Sequence, residues 1–174
     1  MKLISFETMQ SNTFISRVCF EIWFLFCLVL GGIFATLNEG IASETAWGLF
    51  AGHQSLVMLA ASVFLTLGFT YLAVNLKSRG MLLLIIFCRT SLFSYAAVTI
   101  GKAIPDAGWL IACLVLAGDW LCLITYHWFW SCCLGCGFKV KTAAYCVPAF
   151  ILFVIFLCQY FVLYPFAESL FINL

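Results

Sequence analysis

The stretch VCFEIWFLFCLVLGGIFATL, residues 18–37, decides the fold class of this chain, because it is an apolar run of spanning length with a single ionisable residue, Glu21. Twenty helical residues extend about 30 Å, which matches the hydrocarbon core of a bilayer. The run is longer than the roughly 7–15 apolar residues of a signal peptide. It therefore predicts a transmembrane helix.

The rest of the chain repeats this pattern. Of its 174 residues, 66% are hydrophobic and 9% are charged, whereas soluble domains carry about a quarter charged residues. Short connections with Gly, Pro or charged residues separate the apolar segments, and no segment alternates as a membrane β-barrel strand does. We therefore predict an all-α, polytopic transmembrane helical bundle with five spans, at about residues 17–37, 46–76, 81–101, 107–130 and 143–164.

The predicted organisation is one five-helix transmembrane domain, residues 17–174, preceded by an N-terminal segment, residues 1–16. That segment is expected to be cytoplasmic or to lie on the inner membrane surface as a short amphipathic helix. Span two is unusually long. A break near Gly68 would change the topology of everything that follows it.

The basic residues predict the orientation. In the five-span topology, six of the eight Lys and Arg residues fall on one side of the membrane, namely Lys2, Arg17, Lys77, Arg79, Lys139 and Lys141. Only Lys102 falls on the other side, and Arg89 lies within a span. By the positive-inside rule, the N-terminus is cytoplasmic and the C-terminus is outside. The expected location is the plasma membrane or an inner membrane.

Ionisable side chains within spans mark candidate functional sites, because they are costly in lipid. Arg89 in span three and Asp119 in span four lie at similar depths, about 12 and 16 Å from the inner end. The two spans are joined by a short loop and should be antiparallel neighbours. We therefore predict an Arg89–Asp119 ion pair near the midplane, which either serves function or only fixes the helix register.

Two further sets of polar residues lie at matched depths. Glu21 and His127 are about 5 Å from the inner end, where they could relay a proton or simply lie at the interface. His53 and Gln159 share an outer level, where a structural histidine is the alternative. Together with Arg89 and Asp119 they form a predicted intramembrane polar path. His53 and His127 differ in depth by about 15 Å, so they cannot ligate one haem, and no cofactor is identified.

A thiol cluster, defined as Cys132, Cys133 and Cys136 in the run CCLGC, follows span four. Vicinal thiols suit soft metals or redox exchange, and juxtamembrane cysteines are also palmitoylated. The third interpretation is that they are inert small residues at a helix end. Structural zinc sites have four ligands, so no metal site is assigned.

No catalytic motif such as GxSxG or HExxH is present, so an enzyme is disfavoured. A net charge of +1 offers no basic face for nucleic acid. The predicted function is transport of a small solute or protons through the polar path. A non-catalytic subunit or assembly factor of a membrane complex, and a membrane enzyme acting on lipid or thiols, are the alternatives. Expected partners are membrane lipids and either other membrane subunits or a second copy of the chain.

Overall fold

The computed structural model describes residues 4–38, 56–103, 108–136, 138, 140–166 and 169. These residues are helical throughout apart from short turns, and they contain no β-strand. The helices are α1 (Ile4–Leu37), α2 (Leu56–Asn75), α3 (Arg79–Ala103), α4 (Gly108–Val115), α5 (Ala117–Gly135) and α6 (Cys146–Cys158). A 3-10 turn, Thr142–Tyr145, precedes α6, and a π-helical turn, Gln159–Leu163, follows it. The predicted all-helical class is therefore confirmed for the described residues.

Three of the described helical segments are long and apolar enough to cross a membrane: Arg17–Leu37, Arg79–Lys102 and Ala143–Phe166. They coincide with predicted spans one, three and five. The described part of span two contains a shorter apolar helix, Ala60–Asn75, and residues 46–55 of that span lie outside the described residues. The described chain thus fits an integral membrane protein.

Two helices are more continuous than the sequence indicated. Helix α1 runs through Arg17 without a break and has 34 residues, which is about 51 Å of helix. Residues 4–16 therefore extend the helix of the first span and do not form a separate element. Helix α2 passes through Gly68 as one helix, so the break considered at that position is not present.

A three-residue turn joins α2 to α3. The Lys77 N–H donates to the Val74 carbonyl at 3.0 Å, and the Ser78 N–H donates to the Ala73 carbonyl at 2.9 Å. With Lys77 in the left-handed region, at φ 51°, this pattern is a Schellman C-cap. Ser78 Oγ then accepts the Met81 N–H at 3.3 Å and caps α3. The turn places α2 and α3 side by side and antiparallel.

The most extensive contact between described helices joins α1 to α3. The two backbones meet at Gly31, where an added Cβ would lie 2.2 Å from the Ser91 carbonyl oxygen. Ser91 Oγ donates to the Cys27 carbonyl at 2.9 Å, and Trp23 Nε1 donates to the Leu83 carbonyl at 3.3 Å. Small residues thus allow close packing and interhelical hydrogen bonds, as in other membrane helix pairs.

Helix α5 contributes much of the core and is fixed against α2 by two aromatic side chains. The rings of Tyr126 and Trp130 are stacked, with centroids 5.4 Å apart. Trp130 Nε1 donates to Thr70 Oγ1 at 3.0 Å, and the Tyr126 hydroxyl donates to the Val63 carbonyl. Each ring therefore buries its apolar body and finds an acceptor for its polar atom.

Candidate functional site

The candidate site lies beside a break in predicted span four. The chain departs from helical geometry at the single residue Leu116, at φ −92° and ψ 4°, which divides the span into α4 and α5. The hydrogen bonds from the Leu116 N–H to the Ala112 carbonyl, at 3.0 Å, and from the Trp120 N–H to the Leu116 carbonyl, at 2.8 Å, are kept across this residue. Asp119 consequently falls in the first turn of α5. The carboxylate therefore lies about one turn beyond the irregular residue, at the start of α5.

Arg89 of α3 and Asp119 of α5 form an ion pair. Arg89 NH2 lies 3.3 Å from Asp119 Oδ1, and the two side chains are 18% and 8% exposed. Arg89 NH1 also donates to Ser62 Oγ of α2. The contact that matched depths predict is therefore present, and it joins three helices. Because the pair is largely buried, removing either partner would leave a costly uncompensated charge.

The second carboxylate oxygen of Asp119 leads to the end of α6. Gln159 Nε2 donates to Asp119 Oδ2 at 3.4 Å and to the Tyr164 hydroxyl at 3.0 Å. Gln159 is fully buried, and its Oε1 has no hydrogen-bond partner among the described residues. The sequence predicted that Gln159 lies with His53 near the outer side of the bundle, at a different depth from Asp119. The structure instead joins Gln159 to Asp119, and His53 lies outside the described residues.

The backbone around Gln159 is adapted to this contact. Gln159 begins the π-helical turn, a feature that is frequent at functional sites. Gly118 packs directly against its side chain, since an added Cβ would lie 2.4 Å from Gln159 Cδ. The close approach at Gly118 thus brings the end of α6 to the start of α5.

Glu21 and His127 are also in contact, at 2.8 Å between Glu21 Oε2 and His127 Nε2. The pair links α1 to α5, and the His127 ring packs against both Phe20 and Phe24, with centroid distances of 5.0 and 4.6 Å. The side chains of Glu21 and His127 are 49% and 29% exposed. Neither residue lines the cavities at Arg89 that are described below, so this pair is separate from the Asp119 cluster.

Two cavities meet at Arg89, and both are also lined by Ser62 and Leu92. The larger, about 560 Å³, lies between α2 and α3 and is lined on α3 from Met81 to Leu92. The smaller, about 270 Å³, is lined on α3 from Arg89 to Ala96 and on the broken span by Leu116 and Asp119. The cavities therefore extend from Arg89 in opposite directions along α3.

The sequence reasoning did not identify the hydroxyl residues of α2. Ser62, Thr66 and Thr70 recur every four residues and so share one face of the helix. Thr66 Oγ1 donates to the Ser62 carbonyl and Thr70 Oγ1 to the Thr66 carbonyl, both at 2.8 Å. Ser62 reaches Arg89, and Thr70 reaches Trp130. The four-residue spacing of hydroxyls in an apolar helix is the signal that would have found this face.

The thiol cluster at the end of α5 is only partly accessible. Cys132 and Cys136 are exposed, Cys133 is buried, and all ten cysteines of the chain are free thiols. Burial raises the pKa of Cys133, and together with the neighbouring thiols of Cys132 and Cys136 it brings this pKa to about 12. A protonated thiol is a poor nucleophile and a poor metal ligand. No group of three or more His, Cys, Asp or Glu side chains within the described ranges could hold a metal ion.

Alkylation rates should separate these thiols. In variants that keep one cysteine of the cluster and none of the seven other cysteines of the chain, a maleimide at pH 8 is expected to label Cys132 and Cys136 readily. Cys133 should be labelled roughly tenfold or more slowly, because the buried thiol stays protonated. Labelling of Cys133 should accelerate as the pH is raised and should match the other two after unfolding in SDS. Equal rates for the three thiols in the folded protein would contradict the buried position of Cys133.

Comparisons with known protein families, with curated proteins and with solved structures found no match for this chain. Proposals about its function therefore start from the geometry of the Arg89–Asp119 cluster itself.

Proposed function

We propose that this chain is a five-span membrane transporter that moves protons or a small solute past the Arg89–Asp119 pair. One observation supports this most directly. Two cavities lead away from the same arginine in opposite directions, and the pair at their junction lies beside a broken helix. Transporters hold their substrates at such discontinuous helices, between pathways that open in turn to the two sides.

The five proposed spans are the three long apolar helices together with α2 and the α4–α5 unit. Helix α2 has 20 residues, about 30 Å of helix, which is the thickness of the hydrocarbon core. The broken α4–α5 unit is tolerated at membrane depth because its irregular backbone is buried in protein, where Leu116 is 2% exposed. The distribution of Lys and Arg supports a topology with the N-terminus in the cytoplasm and the C-terminus outside, and the proposed location is a plasma or inner membrane.

In this topology, the larger cavity extends from Arg89 towards the cytoplasmic α2–α3 turn, and the smaller one extends towards the outer side. Arg89 and Asp119 stand between them. While the ion pair is intact, it closes the junction, because both charges hold each other across α3 and α5. Separation of the pair would connect the two cavities, so the pair acts as the gate of the proposed path.

Asp119 is the proposed proton-binding group. Protonation removes its attraction for Arg89 and gives the carboxyl group an O–H donor. Gln159 has a buried carbonyl oxygen without a described partner, which could accept this donor after small rearrangement. Its amide nitrogen, Nε2, donates to Oδ2 of the ionised Asp119 carboxylate at 3.4 Å. Gln159 can therefore stabilise Asp119 in both protonation states while Arg89 changes partner.

The test is proton flux in liposomes that contain the purified protein and a trapped pH-sensitive dye, driven by a potassium diffusion potential. Asp119→Asn is expected to abolish the flux, since the amide cannot ionise. Thr125→Val is the matched control, because Thr125 lies on the same helix, bonds only within it to the Leu121 carbonyl, and lines neither cavity. It should retain wild-type flux. Undiminished flux in folded Asp119→Asn would contradict a role for this carboxylate, and a wild-type protein without flux would contradict proton transport.

A further inference from the structure

The geometry points to a specific ligand for the larger cavity, and we propose that it binds a single-chain fatty carboxylate. The carboxylate would lie against Arg89 and Ser62, and the acyl chain would follow the groove between α2 and α3 towards Met81. This inference deepens the proposed function and rests on it for the role of the site, but ligand binding can be measured without flux.

The cavity has the size and polarity of a site for an amphiphile. Its volume, about 560 Å³, is within the usual range of about 300–1,000 Å³ for small-molecule sites. Its polar side chains are Ser62, Thr66 and Arg89, and the remaining lining is apolar or Cys88. Because α2 and α3 are antiparallel, Ser62 and Arg89 lie together at one end, and Phe69 and Met81 at the other. The distance from Arg89 to Met81 along α3 is about 12 Å.

The polar end is suited to a carboxylate. Arginine has five N–H donors in a planar fork that matches two carboxylate oxygens. The contact from Arg89 to Asp119, at 3.3 Å, is longer than the roughly 2.7–2.9 Å of a strong charge-assisted bond. An incoming fatty acid can therefore replace Asp119 on the guanidinium when it gives its proton to the Asp119 carboxylate, because then no second negative charge is buried. Asp119 would keep its contact with Gln159, and the Ser62 hydroxyl could donate to the ligand.

The apolar end is open to the membrane. Leu65, Phe69, Leu84 and Leu92 line the groove and are exposed on the surface of the protein. A chain dissolved in the bilayer can enter the groove sideways without crossing water. A neutral acyl chain would gain the same apolar contacts, so it is the charge of Arg89 that selects a carboxylate.

The experiment uses the full chain in phosphatidylcholine nanodiscs and palmitate with a diazirine near the middle of its chain, because an extended palmitate chain is longer than the roughly 12 Å from Arg89 to Met81. We expect saturable binding that unlabelled palmitate displaces and hexadecanol does not, with photolabel on the Phe69–Met81 end of the groove. Arg89→Gln should weaken binding by roughly tenfold to a hundredfold, because a charge-assisted bond is lost, and Arg89→Lys should recover part of it. Arg79→Gln is the control, since Arg79 is an exposed cation at the start of α3 outside the cavity.

Displacement by hexadecanol as effective as by palmitate, or wild-type affinity in Arg89→Gln, would overturn the proposal and show a groove that accepts any lipid chain. Should Arg89→Gln fail to fold, Cys88→Phe decides instead, because it fills the groove and leaves the ion pair in place. It is expected to weaken palmitate binding by roughly tenfold, and unchanged binding would overturn the proposal. Binding without proton flux would contradict the transporter alone, and flux without binding would contradict the ligand alone.

Discussion

Replacing Gly31 by Ala is expected to push α1 away from α3 and to destabilise the folded protein by about 3 kcal/mol. The new Cβ would lie 2.2 Å from the carbonyl oxygen and 2.8 Å from the Cα of Ser91. These are backbone atoms in the middle of a helix, so they cannot rotate aside as a side chain could. The forced separation would also stretch the hydrogen bond from Ser91 Oγ to the Cys27 carbonyl, which contributes about 1 kcal/mol.

The measurement is reversible unfolding in mixed detergent micelles, followed by the fraction folded at increasing SDS. Gly68→Ala is the matched control, because Gly68 lies within α2 and an added Cβ meets no atom within 4 Å. There the substitution should stabilise the protein by up to about 1 kcal/mol through helix propensity alone. Effects of the same sign and size at both positions would contradict the close α1–α3 contact.

The second large effect concerns the ion pair. Arg89→Met and Asp119→Leu are each expected to destabilise the protein by about 3–5 kcal/mol, because each leaves a buried charge without its partner. The double variant should recover most of this loss, since two apolar side chains can replace a buried pair at little cost. The double-mutant cycle, measured by the same unfolding assay, reports the interaction directly.

Glu21→Gln is the comparison variant for this cycle, because it removes an ion pair that is not buried. The Glu21–His127 pair is partly exposed, so its loss should change stability by less than about 1 kcal/mol. The folded double variant also distinguishes the two roles proposed for the Arg89–Asp119 pair, which are a gate and a structural contact that fixes the helix register. It should be stable and inactive if the pair is the proposed gate. Wild-type flux in that variant would show that the pair only fixes helix register, and additive single effects would show that the two charges do not interact.

Counting residues along helices was sufficient to pair Arg89 with Asp119 and Glu21 with His127. The rise of a helix is constant, so depth follows from position, and each pair needs only the approximate end of its span. Neither pairing depended on side-chain packing. The all-helical class and three of the spans likewise follow from the lengths of the apolar runs, without any knowledge of packing.

The details around Asp119 could not be predicted in this way. Residue 116 is a leucine, with no proline to end the helix there, and the break is accompanied by the packing of Gly118 on Gln159 from a distant part of the chain. The contact of Ser62 with Arg89 depends on the register of α2. That register follows from the turn at Lys77, and a lysine in the left-handed region is not a position that composition reveals.

The close pairing of α1 with α3 has a consequence for biosynthesis. The hydrogen bond between Ser91 and Cys27 joins residues 64 positions apart, so at roughly 5–20 residues per second the partner of α1 is synthesised roughly 3–13 s after it. During that interval α1 is without its partner helix, and its apolar part, Arg17–Leu37, has a mean hydropathy of 2.3, which suits a helix surrounded by lipid. Helix α3 follows α2 through a three-residue turn, so the two are synthesised one directly after the other as an antiparallel hairpin. In this order of synthesis, the α2–α3 hairpin packs onto α1 after α1 has been made. Gly31 is the residue of α1 at which the two backbones meet.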